Sequence, residues 1–93
     1  MKVEVEYCGR WGYAPRYQEL ARTIKSSLPD AECVGNVGRN TSFEVVVDGT
    51  LIYSKLKTGK FPTYEDVVKA IEATKAGQPI PPIGEQAGMC SIM

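Results

Sequence analysis

Apolar and polar positions alternate through the first residues of the chain: Val3, Val5 and Tyr7 are separated by Glu4 and Glu6. A period of two predicts a strand with one buried face, and Cys8 closes it. Gly9 and Gly12 open a loop. The period then changes. Tyr17, Leu20, Ala21, Ile24 and Leu28 recur at helical spacing, with Arg16, Glu19, Arg22, Lys25 and Ser26 between them, so one apolar stripe is expected on a helix. Pro15 suits the first turn of that helix, and Pro29-Asp30 stops it. Ala31–Val34 reads as a short strand and Gly35–Asn40, rich in glycine and asparagine, as a loop. Phe43–Val47 and Leu51–Lys55 are dense in β-branched and aromatic residues. Asp48-Gly49 between them predicts a type I′ hairpin turn, whose central residues both need positive φ. A looser segment, Thr58–Pro62, leads to Thr63, a cap for a second helix with Asp66 favouring its N-terminal dipole. Val67, Val68, Ile71 and Thr74 face inward on that helix, and Gly77 ends it.

The predicted order is strand, helix, strand, strand, strand, helix. The first three elements suit a right-handed βαβ crossover, and the hairpin adds two antiparallel strands. Glu4, Glu6 and Glu44 are expected to point away from the helices, leaving one face of the sheet wet. The expectation is a two-layer α/β sandwich over residues 1–77. Residues 78–93 differ in character: three prolines, no lysine or arginine, and Glu85 as the one charge. They read as a flexible tail that does not pack.

Composition narrows the function classes. Ninety-three residues allow one domain and a small core. Eleven basic and eleven acidic residues give no net charge, and no basic stripe is present, which argues against a nucleic-acid partner. No apolar run approaches the roughly 20 residues of a membrane helix. The N-terminus has no apolar run of the signal-peptide kind, so a reducing compartment is expected. Three widely spaced cysteines and no histidine argue against a disulfide framework and against a zinc site.

Cys8 is the candidate reactive residue. A thiol between a strand end and a helix start is expected to have a lowered pKa, through the helix N-terminus and Arg10; the alternative is a small apolar residue closing a buried strand. Three residues on, where a two-sulfur motif would place its partner, stands Trp11, which cannot form a disulfide. A lone thiolate can form mixed disulfides but cannot resolve them internally. Trp11 reads either as an exposed anchor for a partner or as a ring folded over the helix beside Tyr13 and Phe61. Cys33 reads as a core thiol. The Lys55, Lys57, Lys60 cluster reads as solvated surface, with acidic headgroups as the alternative. The chain ends Cys90-Ser91-Ile92-Met93, a C-a-a-X pattern whose terminal Met favours farnesyl on Cys90.

Tyr7-Cys8-Gly9 with Gly12-Tyr13, and the run Ser42–Leu56, resemble the selenoprotein W family of small thioredoxin-like proteins over roughly residues 3–76. That family carries Cys-x-x-Sec or Cys-x-x-Cys here, so Trp11 occupies the selenocysteine position. The resemblance implies a thioredoxin-like fold, redox use of Cys8, and glutathione or protein thiols as reaction partners, with no bound cofactor. Some members link glutathione to a cysteine near Cys33. Here the spacing to Gly35 differs by one residue, which turns the side chain to the other face, and the role is not carried over. The ending, with Lys55–Pro62, is similar to the prenylated migration-and-invasion-enhancer branch. That likeness implies a cytoplasmic protein partly on the cytosolic face of membranes, acting in filopodium formation and cell migration. Two readings stay open. If Trp11 is a recoded selenocysteine, the protein is a thiol-disulfide oxidoreductase. If Trp11 is the native residue, it is a prenylated adaptor that bears a thiol.

Overall fold

The computed structural model describes residues 1–86. The alternation at residues 3–7 becomes β1 (Lys2–Cys8), an inner strand of a four-stranded sheet. Then come α1 (Tyr13–Ser27), β2 (Glu32–Gly38), β3 (Phe43–Val47), β4 (Thr50–Ser54), α2 (Lys55–Thr58) and α3 (Tyr64–Ala76). The sheet order is β2-β1-β3-β4. β1 runs parallel to β2 and antiparallel to β3, as a β-α-β unit followed by a hairpin requires. Val3, Val5, Val45 and Val47 from the sheet, Leu20 and Ile24 from α1, and Val67 and Ile71 from α3 are closed off from solvent in one core. Sheet and helices make the expected two-layer α/β sandwich.

The hairpin forms as its sequence dictates. Asp48 and Gly49 have φ of 48° and 86°, the pair of positive values a type I′ turn needs. Val47 pairs with Thr50 across it. Gly77 caps α3 in the left-handed region at φ 71°.

Four expectations are corrected. The second strand does not stop at Val34; it runs to Gly38, paired along its length with β1. Its glycines mark close approach rather than a loop. A Cβ on Gly35 would lie 2.5 Å from the Tyr17 ring, and one on Gly38 would collide with the Glu6 side chain. Second, Glu44 is not wet. It sits opposite Glu6 on the same sheet face, but β4 and α2 cover it, and it is 4% exposed. Its carboxylate accepts from Ser54 Oγ, from the Phe43 N–H at 3.1 Å and from the Leu56 N–H at 3.2 Å. Third, α2 occupies part of the segment expected to be loose, capped by Ser54 Oγ accepting from the Lys57 N–H. Fourth, the tail packs as far as it is described. Glu85 bridges to Pro62, the Thr63 N–H donates to the Gly84 carbonyl, and the Gln86 N–H donates to the Phe61 carbonyl. Ile83 lies against the core. Glycine and proline hide a docking segment that has no side-chain period of its own. Among the described residues no helix is long and apolar enough to cross a membrane.

Candidate functional site

Cys8 is the last residue of β1, and its backbone N–H donates to the Ser42 carbonyl at 2.9 Å. This extends the β1–β3 pairing past Phe43 and brings the 39–42 loop over the thiol. The residue is only 2% exposed. The pleat puts Cys8 on the side of Glu4 and Glu6, away from Val3, Val5 and Tyr7. Tyr7 turns the other way, stacking on Tyr17 of α1 at 5.3 Å between ring centroids.

The thiol sulfur receives the Arg10 backbone N–H at 3.4 Å and donates to Asn40 Oδ1 at 3.6 Å. Burial by itself pushes the Cys8 pKa up. The backbone N–H groups of Thr41 and Arg10, followed by the charges of Arg10 and Lys55, outweigh it, and the pKa lies below the ordinary thiol value. Arg10 acts as expected from sequence. The helix contribution differs from the expectation. α1 begins only at Tyr13, behind Gly12 at φ 94°, and the donors that meet the sulfur come from two loops.

Lys55 belongs to the same neighbourhood. Its Nζ donates to the Thr41 carbonyl at 3.3 Å and lies 5.4 Å from the Tyr13 ring and 5.2 Å from the Phe61 ring. The Arg16 guanidinium stacks on Phe61 at 4.0 Å and donates to Gln86 Oε1 at 3.0 Å. Tyr13, Phe61 and Phe43 thus form an aromatic cluster with cations over it.

Trp11 stands clear of that cluster at 101% exposure. Of its two readings the structure takes the exposed one, while Tyr13 and Phe61 pack without it. Cys33 is half-buried on β2 opposite Val3, whereas Cys8 is opposite Gly38. Five residues of parallel strand separate them, about 16 Å at a strand's rise. A disulfide needs Cα atoms within roughly 7 Å, so the two cannot pair in this fold. Burial raises the Cys33 pKa, and the Lys25 charge offsets only part of that. Cys8 is the more enclosed of the two thiols. Cys90 lies outside the described residues. Among the described residues no group of three or more His, Cys, Asp or Glu could hold a metal ion.

Sequence reasoning misses the 39–42 loop, because Gly35–Asn40 reads as the turn. The usable signal is Asn40-Thr41-Ser42 directly before the strand that pairs with β1, since polar turn formers there must lie against the end of β1.

A model of the Rdx family matches residues 2–73 of the chain. Migration and invasion enhancer 1 of Bos taurus is 33% identical over 93 residues, covering 100% of this chain and 81% of the relative. Selenoprotein W of Mus musculus is 34% identical over 82 residues, covering 82% of this chain and 91% of the relative. Among solved structures, a selenoprotein W-related protein from Vibrio cholerae superposes with a TM-score of 0.68 at 20% identity, covering 78% of this chain and 94% of that one, a likeness of fold. A family model spanning most of the chain, and relatives aligned over nearly all of it, place the chain in the Rdx family, together with proteins named selenoprotein W and Migration and invasion enhancer 1.

Proposed function

We propose that this protein is a monothiol redox protein in which Cys8 exchanges with glutathione disulfide and with protein disulfides. The observation that carries the reading is the Arg10 backbone N–H on the Cys8 sulfur at 3.4 Å, beside which the Thr41 N–H and the charges of Arg10 and Lys55 favour the thiolate. In the proposed step the Cys8 thiolate attacks one sulfur of glutathione disulfide. The S–S bond of the disulfide breaks, a Cys8–glutathione bond forms, and the other glutathione leaves as thiolate. Glutathione disulfide is the oxidant. Cys8 is released when a second glutathione thiolate attacks the mixed disulfide. Trp11 supplies no internal sulfur and Cys33 is out of reach, so the mixed disulfide is the end state until an outside thiol arrives.

The test is mass spectrometry of the folded chain after treatment with glutathione disulfide. One glutathione on Cys8, removed by reductant and absent in Cys8→Ser, is expected. Trp11→Cys should instead give an internal disulfide between Cys8 and the thiol introduced at position 11. An adduct on Cys33 with Cys8 unmodified would refute the reading.

A second reading rests on the fully exposed Trp11 indole, which suits an anchor for a protein partner. Together with relatives named Migration and invasion enhancer 1, it supports a signalling adaptor acting in cell migration. Trp11→Ala should abolish partner binding on this reading and leave Cys8 exchange intact.

The C-a-a-X ending supports prenylation at Cys90 and a cytoplasmic protein partly on the cytosolic face of membranes. A single lipid binds only marginally, so partition between cytosol and membrane is expected. Cys90→Ser should be wholly soluble with unchanged Cys8 exchange. Equal membrane association of the two forms on fractionation would contradict it.

A further inference from the structure

The residues between β2 and β3 are held in place more firmly than a loop of their length requires. Arg39 closes on Glu6 of β1 with three bonds. Its backbone N–H and its Nε donate to Oε2 at 2.7 and 2.9 Å, and its Nη2 donates to Oε1 at 3.0 Å. Ser42, fully buried, donates through its N–H and its Oγ to the Arg39 carbonyl, at 3.2 and 2.8 Å. Lys55 Nζ fixes the Thr41 carbonyl from the other side at 3.3 Å. Between these ties Thr41 takes φ 63°. For a β-branched residue that is a strained conformation, kept only where the surroundings enforce it. The loop so held meets the thiol through Asn40, whose Oδ1 accepts from the Cys8 sulfur at 3.6 Å, and lies across a residue that is 2% exposed; the Thr41 N–H favours the thiolate.

We propose that Glu6 and Arg39 form a latch that holds the 39–42 loop over Cys8, so that one ion pair keeps the thiol shielded. The loop is then a gate. Closed, it lends the Thr41 N–H to the thiolate. A disulfide substrate reaches the sulfur when the loop lifts, and the strain at Thr41 favours lifting once the latch is weakened. Glu6 and Arg39 are positioning residues: neither touches the sulfur. The inference rests on Cys8 being the reactive thiol of the proposed function, and it concerns how that thiol is gated.

The charged groups around the loop bear on any substitution there. Arg10 and Lys55 face Cys8, and Glu44 acts on Arg39. Glu6→Gln removes a negative charge from this group. A glutamine has one acceptor oxygen where Glu6 uses two, and its NH2 would face an arginine N–H. The loop releases and the sulfur is uncovered. Losing the Thr41 N–H raises the Cys8 pKa, while losing burial and the Glu6 charge lowers it; access to the thiolate is therefore the readout.

The experiment is iodoacetamide alkylation of the folded, reduced chain across pH, read separately at Cys8 and Cys33 by mass spectrometry, for wild type and Glu6→Gln. In the variant the high-pH plateau for Cys8 should rise by more than the about threefold that a tenfold gain in basicity alone would give, because the sulfur is uncovered. Cys33 should be unchanged. A plateau no higher than basicity explains overturns the latch. Arg39→Met in the same assay gives an independent check should Glu6→Gln fold poorly. A wild-type chain that refuses glutathione while Glu6→Gln shows the raised plateau refutes the redox reading and leaves the latch standing. Glutathione exchange with no response in either variant refutes only the latch.

Discussion

Cys8 and Cys33 sit on neighbouring parallel strands of one sheet, yet their acidities move in opposite directions. Cys8 is the more enclosed of the two and has the lower pKa; Cys33 is more open and is raised. Burial opposes the thiolate at both. What differs is the backbone nearby. Cys33 stands near the start of β2, opposite Val3, and only the Lys25 charge works against its burial. Cys8 stands where the ladder ends and two loops begin, so N–H groups of Arg10 and Thr41 are free to face a sulfur. Donor supply, rather than openness, separates the thiols, and a strand end is where donors become available.

The largest disturbance should come from the helix-side face of the sheet. The Tyr17 ring lies over Gly35 and stacks on Tyr7, next to Cys8. Gly35→Ala drives a Cβ into that ring and should cost about 1–3 kcal/mol, the usual range for overpacking, measured by urea denaturation. An unchanged midpoint would mean the ring moves aside freely.

A second substitution separates the two sites. A Cβ at Gly38 meets the Glu6 side chain, so Gly38→Ala should displace Glu6 from Arg39 and raise the high-pH plateau of Cys8 alkylation, with Cys33 unaffected. Equal effects on both would show a general loosening of the sheet.

Lys55→Met should have a smaller effect of the same kind. It removes a cation near Cys8 and a tie on Thr41, raising the Cys8 pKa, while Cys33 is influenced by Lys25 instead. A Cys8 titration identical to wild type would remove Lys55 from the account.

The smallest effect is in acid. The Arg39 side chain and then its backbone N–H, against an opposing effect of burial, bring Glu6 from its ordinary 4.5 to about 2. A depressed carboxyl stabilises the fold above its unfolded pKa and loses that contribution as pH falls from about 4.5 toward 2. Wild type should therefore lose more stability than Glu6→Gln across that window in thermal melts, modestly because the pair is partly exposed. Parallel curves would show that the pair contributes nothing to stability.

Much of this is legible in the chain. Alternation at Val3–Tyr7, the stripe Leu20–Ile24 and the Asp48-Gly49 turn are local signals, and each leads to the element observed. Cys8 stands out because it falls between a strand and a helix, where a thiol can meet unpaired backbone donors. What escapes is set by contacts between distant residues. Gly35 and Gly38 read as loop because glycine has no pattern, and their place in β2 depends on Tyr17 and Glu6 needing room. Glu44 reads as wet because alternation cannot foresee that α2 will cover it. The docking of residues 83–86 joins backbone groups with the single side chains of Ile83 and Gln86, which make no period in the sequence. The donors to Cys8 lie 2 and 33 residues away in the chain, and only the fold brings the farther one near.

Carbon-13 labelling of the cysteine Cβ atoms and a pH titration by NMR read the ionisation of Cys8 and Cys33 in one folded sample, without a reagent that must reach the sulfur. Cys8 should titrate first, below the ordinary thiol value, and Cys33 after it, above that value. A Cys33 that ionises before Cys8 would contradict the account.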